Sequence, residues 1–242
     1  MNARINFTVK LADLFVSVNC RYPEVRDMCR KYIVPDCPAD VCAYAEDEEI
    51  AQELELADIV SEWYAEFLCI YRAIARELPR FSRAVFHGAS ITYKGKGLLF
   101  TAPSGTGKST HISLWRKYLG EDVKIVNGDK PIIRTEGGKV TVYGTPWAGK
   151  ERWQRNVSAE LTAICLLEQG KSNEIRRLST DECIKAFMNQ IYLPDVPNAL
   201  QITLGVLGSL IESVPVYKLS CDMSEQAVKA SFESMLGEEY KK

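Results

Sequence analysis

Ala102-Pro103-Ser104-Gly105-Thr106-Gly107-Lys108-Ser109-Thr110 is the stretch on which the fold turns. It follows an apolar run, Gly97-Leu98-Leu99-Phe100-Thr101, and leads into a segment of helical character, His111 to Tyr118. Strand, glycine loop and helix together make the setting that a phosphate-binding loop requires. The residues fit G-x-x-x-x-G-K-[ST], with Ala102 in the first glycine position. Gly105 and Gly107 let the backbone amides from Ser104 to Thr110 curl around an anion. Lys108 adds a point charge, and Ser109 a hydroxyl for Mg²⁺. The first turn of the helix contributes bare N–H groups and the positive end of its dipole. The competing reading is a Gly-Thr-Gly turn with a solvated lysine.

Working outward, Ala84 to Tyr93 reads as a strand and Lys94-Gly95-Lys96 as a tight turn, so a hairpin delivers the chain into the loop. His87 lies on that strand. It is either a satisfied core histidine or an acid, base or donor beside a terminal phosphate. Downstream, Val123-Lys124-Ile125-Val126 is a short buried-type strand that ends in Asn127-Gly128-Asp129. Set beside the phosphate-loop strand, it would bring Asp129 to Ser109 and the metal; otherwise Asp129 is a turn residue. A second hairpin follows, Ile132 to Arg134 and Val140 to Tyr143 around Gly137-Gly138. It ends in Gly144-Thr145-Pro146-Trp147-Ala148-Gly149-Lys150-Glu151. Trp147, Gly149, Lys150 and Arg152 would hold phosphate or acceptor there, unless the tryptophan is merely packed. Arg155 and Arg134 are further cations.

The flanking segments set the frame. Ile5 to Cys20 alternates, with a turn near Ala12-Asp13, and Tyr22 to Ile33 has helical spacing. Val41 to Ala45 is a short strand, Glu46 to Glu55 a solvated acidic helix face, and Ile59 to Leu78 a helix with Trp63 and Tyr71 in its core face. Beyond the central region, Leu161 to Leu167, Ile175 to Leu178 and Val214 to Leu219 read as strands. Asp181 to Ile191, capped by Ser179 or Thr180, Leu200 to Ile211, and Ser224 to Leu236 read as helices, and Pro194 and Pro197 mark a loop. Arg176-Arg177-Leu178-Ser179 has the look of a basophilic kinase target but reads better as a strand end and helix cap.

The chain has 242 residues and a formal net charge of -2, which speaks against a broad nucleic-acid or membrane footprint. No apolar run approaches a membrane span, and Met1-Asn2-Ala3-Arg4 does not open a signal peptide, so a cytoplasmic location is expected. The eight cysteines, several in apolar runs, read as reduced thiols. Cys37 and Cys42 are the pair a zinc site would use.

His87-Gly88, the hairpin, the Ala-Pro-Ser-Gly-Thr-Gly-Lys-Ser loop and Asn127-Gly128-Asp129 together resemble the catalytic domain of HPr serine kinase/phosphorylase. The wider superfamily includes the ATP-dependent phosphoenolpyruvate carboxykinases. The Gly-Thr-Pro-Trp-x-Gly-Lys loop is more similar to HPr-kinase-related bacterial proteins than to HPr kinase itself. The resemblance covers Phe81 to Glu151. It implies an α/β fold with a mixed sheet flanked by helices, residues 81–242 forming a P-loop kinase domain and residues 1–80 a smaller α+β region that sets specificity. It implies ATP and Mg²⁺ as cofactors and His87, Lys108, Ser109 and Asp129 as site residues. HPr kinase carries two adjacent acids where this chain has Gly128-Asp129, so Asp129 has both duties or another residue supplies one. The expected activity is γ-phosphoryl transfer to a hydroxyl of a small molecule, a peptide or a protein, with homo-oligomer assembly left open. The alternatives are a nucleotide-sensing or peptide-binding module and a carboxykinase-like enzyme.

Overall fold

The computed structural model describes residues 4–56, 61–196 and 198–241. The first two positions of the expected 59–78 helix and Pro197 of the expected loop lie outside them.

The chain opens with β1 (Ile5–Leu11) and β2 (Leu14–Cys20), a hairpin turning at Ala12-Asp13, both with positive φ. α1 (Pro23–Cys29) follows, then β3 (Ile33–Val34), β4 (Val41–Ala43), α2 (Asp47–Leu56) and α3 (Glu62–Glu77). The helix expected over Tyr22 to Ile33 is therefore shorter. It stops at Cys29, and Ile33 joins β1 as a strand because edge pairing there satisfies its backbone. These four strands form one sheet, ordered β3-β1-β2-β4.

The second sheet has nine strands. β5 (Arg83–Val85), β6 (Ala89–Tyr93) and β7 (Lys96–Thr101) lead to α4 (Lys108–Leu119) and β8 (Val123–Asn127). β9 (Ile132–Glu136), β10 (Lys139–Tyr143), β11 (Ser158–Gln169) and β12 (Glu174–Arg177) follow. α5 (Thr180–Phe187), α6 (Ala199–Ser213), β13 (Val216–Cys221) and α7 (Glu225–Leu236) complete the order. The main path is β5-β9-β10-β11-β7-β6-β8, with β13 against β11 and β12 against β13. β11 runs parallel to both β7 and β13, and the other pairs are antiparallel, so the sheet is mixed. Apolar faces on both sides explain why Leu98 to Phe100 and Ala163 to Cys165 read as unbroken hydrophobic runs. α4 and α7 cover one face through Trp115 and Phe232, while α5 and α6 cover another through Phe187 and Leu207. Ser179 caps α5 in a full capping box with Glu182, which matches the cap reading of that segment; α5 ends at Phe187, short of Ile191, which bridges to Phe86 instead.

Two expectations about the centre are corrected. Ala84 to Tyr93 is two strands, not one: β5 pairs with β9, while β6 pairs with β7 and β8. The break is Phe86-His87-Gly88, whose N–H groups donate outside the ladder to Pro131 O, Gln190 O and Asp129 O. And β8 does not lie beside β7. β6 stands between them, antiparallel to each, so β7 and β8 run the same way and end at the same sheet edge.

The two sheets share a core. Val85, Ile132 and Tyr143 of the second, and Trp147 in the loop after β10, pack into the cluster built by β1, β2 and α3. Asp13 in the β1–β2 turn accepts from Tyr143 Oη at 2.7 Å and pairs with Arg134 at 3.1 Å, and Arg83 Nε donates to Ala12 O at 2.6 Å. α2 and α3 are joined by the Glu53–Arg72 ion pair. All eight cysteines are unpaired, and no helix among the described residues is long and apolar enough to cross a membrane.

Candidate active site

The loop after β7 turns through Gly105 at φ +80° and Gly107 at φ +113°. L-residues with a Cβ rarely reach such values, so the glycines are what let the chain swing back into α4. Ser104 and Gly105 are exposed, while Lys108 and Ser109 are half-buried. Lys108 folds over the loop and donates to Ala102 O at 2.9 Å. Burial lowers its pKa; Lys130 adds to that, and Asp129 and Glu151 oppose it. Among the described residues, Lys108 makes no ion pair, so its charge is available to an anion in the loop.

Across the cleft stands the turn after β8. Asn127 is fully buried, and its Oδ1 accepts from the backbone N–H groups of Asp129 and Lys130, both at 2.8 Å. This is an Asx-type turn, with the asparagine standing in for backbone. Its Nδ2 donates to Thr145 O at 3.0 Å and reaches Thr145 Oγ1 at 3.1 Å. The buried Thr145 hydroxyl in turn lies 2.7 Å from Lys130 O. Two loops distant in sequence are thus cross-braced by two buried side chains. The brace aims Asp129 at His87, whose Nε2 is 3.3 Å from Asp129 Oδ1. Burial pulls the Asp129 pKa upward, but the His87 hydrogen bond and the charges of Lys130, His87 and Lys108 outweigh it and hold the carboxyl below its ordinary value. His87 is fixed from behind: its N–H donates to Gln190 O at 2.6 Å, and its carbonyl lies 2.8 Å from Thr101 Oγ1.

The loop of residues 144–151 forms the third wall. Trp147 does not project into the cleft. It is buried, stacks on Phe67 at 5.3 Å between ring centroids and donates from Nε1 to Phe67 O at 3.1 Å. The tryptophan therefore anchors the loop to α3. Gly149, at φ +73°, comes so close to Asp129 that a Cβ there would sit 3.1 Å from the Asp129 Cβ. Gly128 has a similar constraint: a Cβ would meet Ala148 O at 2.7 Å. No acid fits at position 128, because the neighbouring loop occupies the space a side chain would need. Glu151, at the end of that loop, reaches the cleft instead and faces Lys108 electrostatically.

These three walls enclose a cleft of about 490 Å³, lined by Ser104 to Thr110 (Thr106 excepted), His87, Asp129, Lys150 and Glu151. On one side of the glycine loop a hollow of about 380 Å³ is lined by Leu114, Leu167 and Met223 and includes Thr106. On the other, one of about 950 Å³ reaches His87, Gln190 and Lys218. A groove of about 540 Å³ runs from Asp129 past Lys150 and Arg152 to Trp63 on α3. Trp63 is half-buried at that rim rather than in the core, as its helical spacing had suggested, whereas Tyr71 is buried. Arg134 is held by Asp13. Arg155 lines none of these hollows, and its N–H is bonded to Val126 O.

For the cofactors, the fit rests on donors. Ser109 and Asp129 line one cleft, and Mg²⁺ characteristically takes one or two carboxylates and completes its shell from phosphate and water. Among the described residues no three His, Cys, Asp or Glu side chains are grouped to hold an ion, at Cys37 and Cys42 or elsewhere.

Of four further residues of the site, one has a sequence signal of its own. Asn127 carries a signal, since asparagine two places before Asp129 is turn chemistry. Thr145, Gln190 and Glu151 carry none.

No family model matches this chain, and no curated protein does. Among solved structures, the HPr(Ser) kinase/phosphatase from Coxiella burnetii is similar at 11% identity and a TM-score of 0.36. The match covers 63% of this chain and 93% of that one, a distant likeness that says nothing of activity.

Proposed function

We propose that this protein is an ATP- and Mg²⁺-dependent phosphotransferase that moves the γ-phosphoryl group to a hydroxyl. The observation behind this reading is one cleft holding Lys108 and Ser109 of a glycine loop opposite the His87–Asp129 pair. Phosphoryl transfer asks mainly for positioning and for charge against charge. The amides of Ser104 to Thr110 and Lys108 hold the β- and γ-phosphates. Mg²⁺, held by Ser109 and Asp129, would neutralise phosphate charge. His87 and Lys150 donate to the transferring group. The acceptor oxygen bonds to the γ-phosphorus, the bond to the β,γ-bridging oxygen breaks, and ADP leaves with that electron pair. The acceptor proton passes to Asp129, or to Glu151, the second acid at the cleft. The depressed pKa keeps Asp129 ionised and favours its role as a metal ligand.

The test is calorimetry of MgATP binding with transfer of labelled phosphate to an acceptor panel. Lys108→Ala is expected to lower transfer by about a thousandfold, the scale of a lost charge on a transferring phosphoryl group. Asp129→Asn is expected to abolish transfer and to weaken MgATP binding less than Lys108→Ala does. Binding without transfer to any acceptor would point to a nucleotide sensor. No binding of MgATP or MgGTP would sink the reading.

A further inference from the structure

We propose that the groove between α3 and residues 146–152 is the acceptor site, and that it takes an extended peptide segment whose serine or threonine hydroxyl is flanked by aromatic and acidic residues. This rests on the kinase reading above and names its substrate class.

Position comes first. Asp129, Gly149 and Lys150 line both the phosphate cleft and this groove, so the two meet at the acid. A hydroxyl at the inner end of the groove is next to Asp129, while the rest of its carrier lies along α3.

Shape argues for a chain over a small molecule. The groove face of α3 runs from Trp63 to Tyr71, eight residues further on. At 1.5 Å per residue that is about 12 Å. An extended chain covers it with about four residues, whereas a small hydroxy compound at Asp129 would leave most of the groove open.

Lining chemistry sets the flanking residues. Trp63 packs edge-on to Tyr64 at 5.5 Å, Tyr64 reaches Phe67 at 6.3 Å, and Phe67 stacks on Trp147. The outer end of this aromatic run is open: Tyr64 is 37% exposed, and Trp63 is half-buried. An aromatic side chain of a peptide gains offset or edge contacts there. Lys130, Lys150 and Arg152 also line the groove, against Asp129 as its one acid. Lys130 has Asp129 at 4.0 Å, while Lys150 and Arg152 have no ion-pair partner among the described residues. A carboxylate on the peptide complements them.

A library of capped peptides with one fixed serine and randomised flanks tests this, with labelled MgATP as donor and glycerol, free serine and lactate as small-molecule controls. Enrichment of aromatic and acidic flanks among the labelled peptides is expected. For a selected peptide, Trp63→Ala should raise KM about tenfold, the loss of one aromatic contact and its burial, with the MgATP Kd unchanged. Arg152→Glu, an exposed residue that lines the groove but not the phosphate cleft, should weaken or reverse the acidic preference without relying on the aromatic run. Labelling of the small molecules but no peptide, flat or basic flank preference, or a Trp63→Ala KM equal to that of the wild type would overturn the proposal while MgATP binding stands. Failure of the wild type to bind MgATP would overturn the kinase reading and this proposal with it.

Discussion

Gly105 and Gly107 on one wall of the cleft, and Gly128 on the other, are glycines for opposite reasons. At Gly105 and Gly107 φ is positive, and a Cβ would meet nothing within 4 Å. The requirement is conformational and is met within the loop itself. At Gly128 φ is ordinary for any residue, yet a Cβ would strike the Ala148 carbonyl at 2.7 Å. That requirement comes from a loop twenty residues away in the chain. The first wall is open and locally encoded. The second is buried, cross-braced by Asn127 and Thr145, and hung from α3 through Trp147. One wall can therefore be damaged locally, while the other fails with the fold around it.

The sharpest way to break this contrast is Trp147→Ala. It removes a buried ring from the shared core and is expected to cost about 3–5 kcal/mol in urea unfolding. A cost under about 1 kcal/mol, the scale of a surface change, would mean that α3 does not hold the loop. Gly128→Ala should follow, at about 1–3 kcal/mol for overpacking, with phosphate transfer falling further than MgATP affinity because the displaced group is Asp129. Gly105→Ala is smaller and of a different kind. The backbone strain of about 1 kcal/mol should appear as weaker MgATP binding in calorimetry and as a smaller fall in the unfolding midpoint than that of Gly128→Ala. Equal effects of the two glycine substitutions on both readouts would erase the distinction.

The smallest effect is a pH dependence. The Asp129 carboxyl is ionised more readily in the folded chain than in the unfolded one, where its pKa is near 3.9. The folded chain binds fewer protons through this group, so its contribution is whole above the unfolded value and is lost as pH falls through the folded one. The gap in Tm between wild type and Asp129→Asn should accordingly close below about pH 4. A gap that widens on acidification would show that the His87 and lysine contacts do not stabilise the charged form.

Much of the fold was legible in the chain because its signals are local. The turn at Ala12-Asp13, the Lys94-Gly95 hairpin, the Gly137-Gly138 hairpin and the Ser179 cap all form where their residues place them. The errors have one physical source. The stretch from Ala84 to Tyr93 is rich in strand formers, and only Gly88 hints at a break; that Phe86 to Gly88 trade ladder bonds for Pro131, Gln190 and Asp129 is decided by distant segments. Likewise Trp63 and Tyr71 share a helix face by spacing, but only the arrival of the Trp147 loop decides that one is buried and the other sits at a rim.

The sequence by itself determined the glycine-loop wall of the cleft. Two glycines, a lysine and a hydroxyl between a strand and a helix need no distant partner to shape that loop, since the positive φ values at Gly105 and Gly107 and the start of the helix are local. Tertiary structure alone decided what faces it. Asp129 meets His87 because β6 intervenes between β7 and β8 and returns both strand ends to one edge. Glu151 faces Lys108, and position 128 has no room for a side chain, because Trp147 carries the loop from 144 to 151 against that turn. Side-chain burial and loop-to-loop contact are properties of the packed molecule, and spacing along a chain does not contain them.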